Sequence, residues 1–166
     1  MIFMLETERC VLQPIQKSDY HDVRKLYVNR EVRRYLGGIL EEDSIKESMN
    51  RMLHTNVNTY HWMVREKRTN RFIGLLSLDP HHDGVHQEIS YQILPCWWGK
   101  GYATEVVQRV IGYCFNALKL SKIVAETQTA NLSSCKLLEK MGMTLEKKVH
   151  RFGAEQAIYS IESPFK

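Results

Sequence analysis

No two of the four cysteines stand at C-x-x-C spacing, which excludes a redox pair or a zinc site of the usual pattern. A chain of 166 residues can bury a core without disulfide staples. Cys10, Cys96, Cys114 and Cys135 are therefore expected as reduced thiols in a cytoplasmic protein. Four prolines and nine glycines leave no room for a low-complexity linker, and no internal repeat is present. No apolar run approaches membrane-spanning length. The opening Met1-Ile2-Phe3-Met4-Leu5 is too short for a secretory apolar core and has no basic residue before it. Charge of one sign is not concentrated either: the formal net charge of +4 is scattered along the chain. It would steer a polyanionic ligand mildly, but it lacks the clustered footprint and the aromatic motifs of a nucleic-acid binder. These shortages leave a soluble globular chain, expected to be one domain over residues 1–166, with neither membrane nor nucleic acid as its partner.

What is present is a glycine turn at a helix start. Trp98-Gly99-Lys100-Gly101-Tyr102-Ala103-Thr104 runs straight into a segment whose apolar residues Val106, Val107, Val110, Ile111, Cys114, Phe115 and Leu118 recur at helical period. Before the turn, Val85, Gln87, Ile89, Tyr91 and Ile93 alternate with His86, Glu88, Ser90 and Gln92, which is strand period. The first turn of a helix has N–H groups without intrahelical partners, and the helix dipole adds positive potential there. Glycines let the main chain curl close around a guest. A phosphate or pyrophosphate is the guest such a turn suits. A tight connection that binds nothing is the competing reading.

Along the rest of the chain, Arg9 to Pro14 reads as a strand. Ser18 or Asp19 caps a helix running to about Asn29, Gly37-Gly38 breaks the chain, and a second helix runs from about Glu42 to His54. Tyr60 to Glu66 and Arg71 to Leu78 form a strand pair, and Asp83-Gly84 is a hairpin turn leading into the Val85 strand. After the long helix come a strand at Ile123 to Thr127 and a helix capped by Asn131 and ended by Gly142. Two strands then turn at Phe152-Gly153. The order βααβββαβαββ predicts an α/β fold: a mixed, mostly antiparallel sheet of about seven strands with helices on both faces.

This order and the glycine turn resemble the GNAT superfamily of N-acetyltransferases over nearly the whole chain, and in particular the branch of the ribosomal-protein N-terminal acetyltransferases. The family signature Gln/Arg-x-x-Gly-x-Gly/Ala is matched from Trp98 to Ala103 by Gly101 and Ala103, with Trp98 in place of the usual first residue. Pro95 to Glu105 looks like that branch's own version, and Asn131-x-x-Ser134 followed by Leu137 and Gly142 looks like its second signature. The resemblance implies acetyl-CoA as cosubstrate and no metal. It implies that the backbone from Gly99 through Lys100, Gly101, Tyr102 and Ala103 to Thr104 holds the pyrophosphate. It also implies that Ile93 and Leu94 pair with the pantetheine arm like an added strand, and that Asn131 hydrogen-bonds the same arm. The sheet is expected to splay beside the pantetheine, with the acceptor amine arriving from the opposite side.

Acetyl transfer to an amine needs a base, a donor for the oxyanion and a proton for the leaving thiolate. Glu88, on the polar side of the strand that leads to the turn, is the candidate base, with His86 as the alternative. A solvated or salt-bridged carboxylate is the plain alternative for Glu88. A backbone N–H near Ile93 or Leu94 is the candidate oxyanion donor. Many relatives use a tyrosine of the last helix as the acid, but the matching position here is Leu138, so Ser134 becomes the candidate. Lys100 is either a contact to a CoA phosphate or a plain exposed loop lysine, and Trp97 and Trp98 either line the acceptor cleft or pack in the core. Tyr35 with Gly37 and Gly38 lies where relatives keep an acceptor-binding loop. His81, His82, Asp83 and His86 are metal-type residues around a hairpin, with no further ligand pairs. The expected activity is acetyl transfer from CoA to a primary amine, with a protein N-terminus as one acceptor. A polyamine- or aminoglycoside-type small molecule and a non-catalytic CoA-binding module are the alternatives. A monomer and a homodimer through the C-terminal strands are both open.

Overall fold

The computed structural model describes residues 4–54 and 58–165, so Met1–Phe3 of the opening apolar run lie outside the described residues. Eight strands form one continuous sheet: β1 (Leu5–Glu6), β2 (Cys10–Pro14), β3 (Tyr60–Glu66), β4 (Phe72–Pro80), β5 (Gln87–Ile93), β6 (Lys122–Gln128), β7 (Thr144–Arg151) and β8 (Ala154–Glu162). Their spatial order is β1-β2-β3-β4-β5-β6-β8-β7. Every neighbouring pair is antiparallel except β5 and β6. The helices are α1 (Tyr20–Tyr27), α2 (Arg30–Arg33), α3 (Glu42–Leu53), α4 (Tyr102–Asn116) and α5 (Leu132–Lys140).

The mixed sheet with helices on both faces is as expected. The extra elements are too short for a periodic signal: β1 is two residues long and α2 a single turn, started by Asn29, whose side chain accepts the Val32 N–H at 3.0 Å. β5 begins at Gln87 rather than Val85 because Asp83 Oδ1 accepts the N–H groups of Val85 and His86 at 2.8 and 3.0 Å. Those amides belong to a side-chain-closed turn instead of the ladder, and Val85 is left 78% exposed.

Strand alternation divides the core in two. Leu12, Trp62, Leu76, Ile89, Ile93 and Ile123 face α4 and α5, where they meet Val106, Val107, Val110 and Leu138. Met63, Phe72 and Leu75 face the other way and meet Val23, Leu26, Ile45 and Met49 of α1 and α3. Cys114 sits in the first core, where burial pushes its thiol up to about 12, the behaviour of an inert apolar residue. All four cysteines are free. Gly74 of β4 lies opposite Ile93 of β5, and a Cβ there would stand 2.2 Å from the Gln92 carbonyl oxygen.

Candidate active site

β5 and β6 are paired only at Gln87–Ile123 and Glu88–Val124. Beyond Glu88 they part, while β6 continues along β8 for its full length. A parallel pair that separates after two rungs leaves main-chain groups without a ladder. The register says which ones. Leu94 N–H donates to the Ile73 carbonyl at 2.9 Å and His81 N–H to the His86 carbonyl at 2.9 Å, so the even-numbered residues of β5 turn their backbone toward β4. Tyr91 and Ile93 therefore turn theirs toward the notch. The Ile93 carbonyl there accepts the Trp98 indole N–H at 2.8 Å, and the Leu94 carbonyl accepts the Trp97 N–H at 3.0 Å. Of the two expected pantetheine-pairing residues, Leu94 thus has both main-chain groups engaged within the chain, and Ile93 keeps its N–H directed into the notch.

The glycine turn closes the wide end of this notch. Gly99 and Gly101 have φ of 73° and 82°, a left-handed backbone that glycine adopts at no steric cost. Gly101 is the residue before α4, with no side chain capping it. The first α4 amide bonded within the helix is that of Glu105, at 3.0 Å to the Gly101 carbonyl. The N–H groups from Gly99 to Thr104 have no hydrogen-bond acceptor among the described residues. The turn is braced from below. Arg9 donates from Nε to Glu105 at 2.8 Å and from Nη1 to the Lys100 carbonyl at 3.0 Å, and its guanidinium lies 3.9 Å from the centre of the Tyr102 ring. Glu105 also receives the Arg9 N–H and the Thr7 hydroxyl, which hold its carboxyl below the usual range despite some burial. Lys100 is exposed, with Nζ 5.8 Å from the Trp97 ring centre.

Odd and even residues of β5 present opposite chemistry. On the α4/α5 side, the Tyr91 hydroxyl is 3.0 Å from Ser134 Oγ, and burial raises the Tyr91 phenol above its ordinary value. Asn131 precedes α5, and its Oδ1 accepts the Ser134 N–H at 3.3 Å, which leaves its amide nitrogen for another partner. Leu138 is fully buried in the core. On the α1/α3 side lies a cavity of about 410 Å³. Its floor is the sheet itself, with His61 of β3, Ser77 and Asp79 of β4, and Ser90 and Gln92 of β5. Tyr27, Ser48, Arg51 and Met52 form the helical wall.

Glu88, the cross-strand neighbour of Asp79 but not itself a lining residue of the cavity, stands at the vertex of the notch. Withdrawal from water is the main reason its carboxyl is raised to about 7. The nearby charges of Asp79 and Glu126 push the same way, and His81 with the Glu126 N–H opposes them. Asp79, directly opposite Glu88 in register, is also raised by burial. Glu126 by contrast is compensated. It accepts from His81 Nε2 at 2.8 Å and has Arg151 Nε at 3.5 Å. His81 Nδ1 accepts the Asp83 N–H at 3.2 Å, so the ring has no lone pair left for a metal. Among the described residues no group of three or more His, Cys, Asp and Glu is arranged to hold one. His61, buried and 2.7 Å from Ser77 Oγ, is lowered to about 4 and stays neutral.

The structure brings Glu88, Ile93, Asn131, Ser134 and the Gly99–Thr104 backbone around one notch. It takes others away. His86 is held at the hairpin by Asp83, its Nδ1 2.9 Å from Oδ2. Trp97 is buried with its indole N–H on the Phe72 carbonyl at 3.0 Å, and neither tryptophan lines the cavity. Tyr35, Gly37 and Gly38 do not line it either, and Arg33 ties their loop through the Leu36 and Gly38 carbonyls. The sequence gives no functional candidate at Asp79, and Tyr91 enters it only as a member of the strand alternation. Counting outward from the Asp83-Gly84 turn pairs Asp79 with Glu88, so that signal was available. Tyr91 sits among apolar residues and reads as core.

The sequence profile of the acetyltransferase (GNAT) domain matches residues 9–144, and the chain belongs to that family. It is 32% identical over 179 aligned positions to the uncharacterized N-acetyltransferase YoaA of Bacillus subtilis (strain 168), covering 99% of each chain. Its fold matches the spermidine N-acetyltransferase of Vibrio cholerae in complex with CoA and spermine, with a TM-score of 0.79 at 22% identity over 93% of this chain and 96% of that one. It also matches the ribosomal-protein-S5-alanine acetyltransferase of Vibrio fischeri, with a TM-score of 0.81 at 17% identity over 99% of this chain and 98% of that one. At those identities the two likenesses concern the fold. Among the described residues no helix is long and apolar enough to cross a membrane.

Proposed function

We propose that this chain transfers the acetyl group of acetyl-CoA directly to a primary amine, with Glu88 as the base. One observation carries the reading: the half-buried Glu88, its carboxyl raised chiefly by withdrawal from water, is the last residue joining β5 to β6, with the cavity-lining Asp79 paired with it on one face and Tyr91–Ser134 on the other. The amides of Gly99 to Thr104 suit a diphosphate, since they combine unpaired donors with a helix N-terminus. The remaining Asn131 amide nitrogen and the Ile93 N–H suit an extended amide-bearing arm. CoA, the ligand in the Vibrio cholerae spermidine enzyme, has both parts.

The chemistry follows from those groups. The amine arrives as its ammonium and transfers a proton to the Glu88 carboxylate. Its lone pair attacks the thioester carbon, a C–N bond forms, and the oxygen takes the charge beside the Ile93 N–H. The C–S bond then breaks, and the thiolate takes a proton from the Ser134–Tyr91 hydroxyl pair. The second proton lost from nitrogen returns that pair to its resting state, and the Glu88 proton leaves to water. Tyr91 supplies from the strand a phenol of the kind that Leu138 cannot supply from the helix.

A protein N-terminus is the second reading of the acceptor, supported by the likeness of residues 95–105 to the ribosomal-protein branch. Thiol release from acetyl-CoA, measured against polyamines, amino sugars and peptides beginning with Ala or Ser, tests both. Turnover of some amine that falls by about 10²- to 10⁴-fold in Glu88→Gln, with CoA affinity retained, is the expected result. CoA binding without turnover of any amine would leave a CoA-binding module instead.

A further inference from the structure

The cavity on the α1/α3 face has an unusual charge balance for a sheet-floored cleft. Asp79 lines it and takes part in no ion pair among the described residues. Glu88 is its cross-strand neighbour on the same face. The groups that face this pair are named by the packing: His81 and His82 from the turn after β4, Glu126 from β6, and Arg51 of α3 across the cavity. None supplies a fixed cation to Asp79. Arg51 is exposed and bound to Glu47 at 3.2 Å, His81 is bound to Glu126, and Arg151 is directed at Glu126 as well. His61, the remaining basic group of the floor, is neutral through burial. A second observation is independent of charge. Gln92 also lines the cavity, and its Oε1 is buried with no hydrogen-bond partner among the described residues. A buried carbonyl oxygen left unpaired is destabilising, and it is rare without a ligand or water to complete it.

We propose that Asp79 is the counter-ion of the acceptor, so that the cavity selects a small cationic amine bearing further N–H or O–H donors and no carboxylate. The ammonium docks against Asp79 beside Glu88. The Ser77 and Ser90 hydroxyls and Gln92 Oε1 lie two and four residues further along the floor, and they accept from the rest of the molecule. A carboxylate near the amine would meet Asp79 and Glu88 and be repelled. The volume of about 410 Å³ is that of a small-molecule site. This inference rests on the acetyl-transfer reading above, but its test does not pass through acetyl transfer.

Three four-carbon probes separate the cases: 1,4-diaminobutane, n-butylamine and 4-aminobutyrate, titrated calorimetrically into the full chain loaded with CoA at pH 8. The diamine should bind about tenfold or more tighter than the amino acid. Asp79→Asn should weaken the diamine about tenfold and leave CoA affinity unchanged, and Asp79→Glu should restore most of the loss. Gln92→Leu, which removes the orphan oxygen without touching charge, should weaken the diamine several-fold more than it weakens n-butylamine. With an acceptor that turns over, Asp79→Asn should also move the acid limb of kcat to lower pH, a readout that a structural role would leave in place. Equal binding of diamine and amino acid, or Asp79→Asn binding the diamine as the natural chain does, overturns the proposal. Selective binding without turnover of any amine would instead remove the acetyl-transfer reading and leave the cation site.

Discussion

A carboxyl group that ionises near neutrality makes stability depend on pH and, if it is the base proposed above, turnover as well. Glu88 is raised to about 7 because it is withdrawn from water between Asp79 and Glu126. Only its ionised form accepts a proton, so kcat/KM should rise with pH and level off above about 7, and Glu88→Gln should abolish that limb. The stability consequence has the opposite sense. From its ordinary value of 4.5 up to about 7 the folded chain holds a proton that the unfolded chain has lost, so this group's contribution falls as pH rises. His61 works against it. Its folded value of about 4 lies below the ordinary 6.5, so the unfolded chain binds the extra proton and stability rises with pH over that interval. The two slopes offset each other where they overlap. Glu88→Gln should therefore melt higher than the natural chain at pH 8 and uncover the His61 slope between pH 4 and 6.5, which thermal melts across pH would show. On the far side of the notch, Tyr91→Phe and Ser134→Ala should each lower kcat by about 10- to 100-fold, less than additively when combined, because one hydrogen bond joins them. Glu88 was legible as a polar residue on a strand approaching the glycine turn. Its weakened acidity was not, since that comes first from burial in the folded sheet and then from Asp79 and Glu126 on two other strands.

At the scale of the element, the glycine turn and the strand before it are held in shape by distant segments. Arg9 and Thr7, in the connection between β1 and β2, grip Glu105 and the Lys100 carbonyl. Arg9→Ala should raise KM for acetyl-CoA several-fold with little change in kcat, because it loosens the turn without touching the acceptor side. Gly101→Val should do more, since a β-branched residue at φ 82° is strained. Gly74 is the other sensitive glycine. Gly74→Ala would place a Cβ 2.2 Å from the Gln92 carbonyl oxygen, so β4 or β5 must shift. A loss of about 1–3 kcal/mol in denaturant unfolding is expected, together with weakened acceptor binding as the cavity floor moves. The turn itself was readable from glycines between a strand and a helical stripe. Its brace was not, because Arg9 and Glu105 are 96 residues apart and no local spacing relates them.

For the whole molecule, the proposed CoA site exists only in the folded chain, so CoA should stabilise it by mass action. At a CoA concentration of about 100 times Kd the gain is about 2.7 kcal/mol, or roughly 5–10 °C in Tm for a chain of this size. Glu88→Gln should keep this shift, which separates coenzyme binding from catalysis. By itself, the sequence determined the alternation of strands and helices, the hairpin turns, and the glycine turn that leaves the first amides of a long helix unpaired. Each of these follows from short-range sterics and from periodicity along the chain. Tertiary structure alone decided where β5 and β6 part, that Tyr91 reaches Ser134, and that Asp79 faces a cavity with no fixed cation. Those facts depend on which segments pack together. Burial and charge, which set a group's acidity and a pocket's preference, are sums over neighbours that the order of residues does not display.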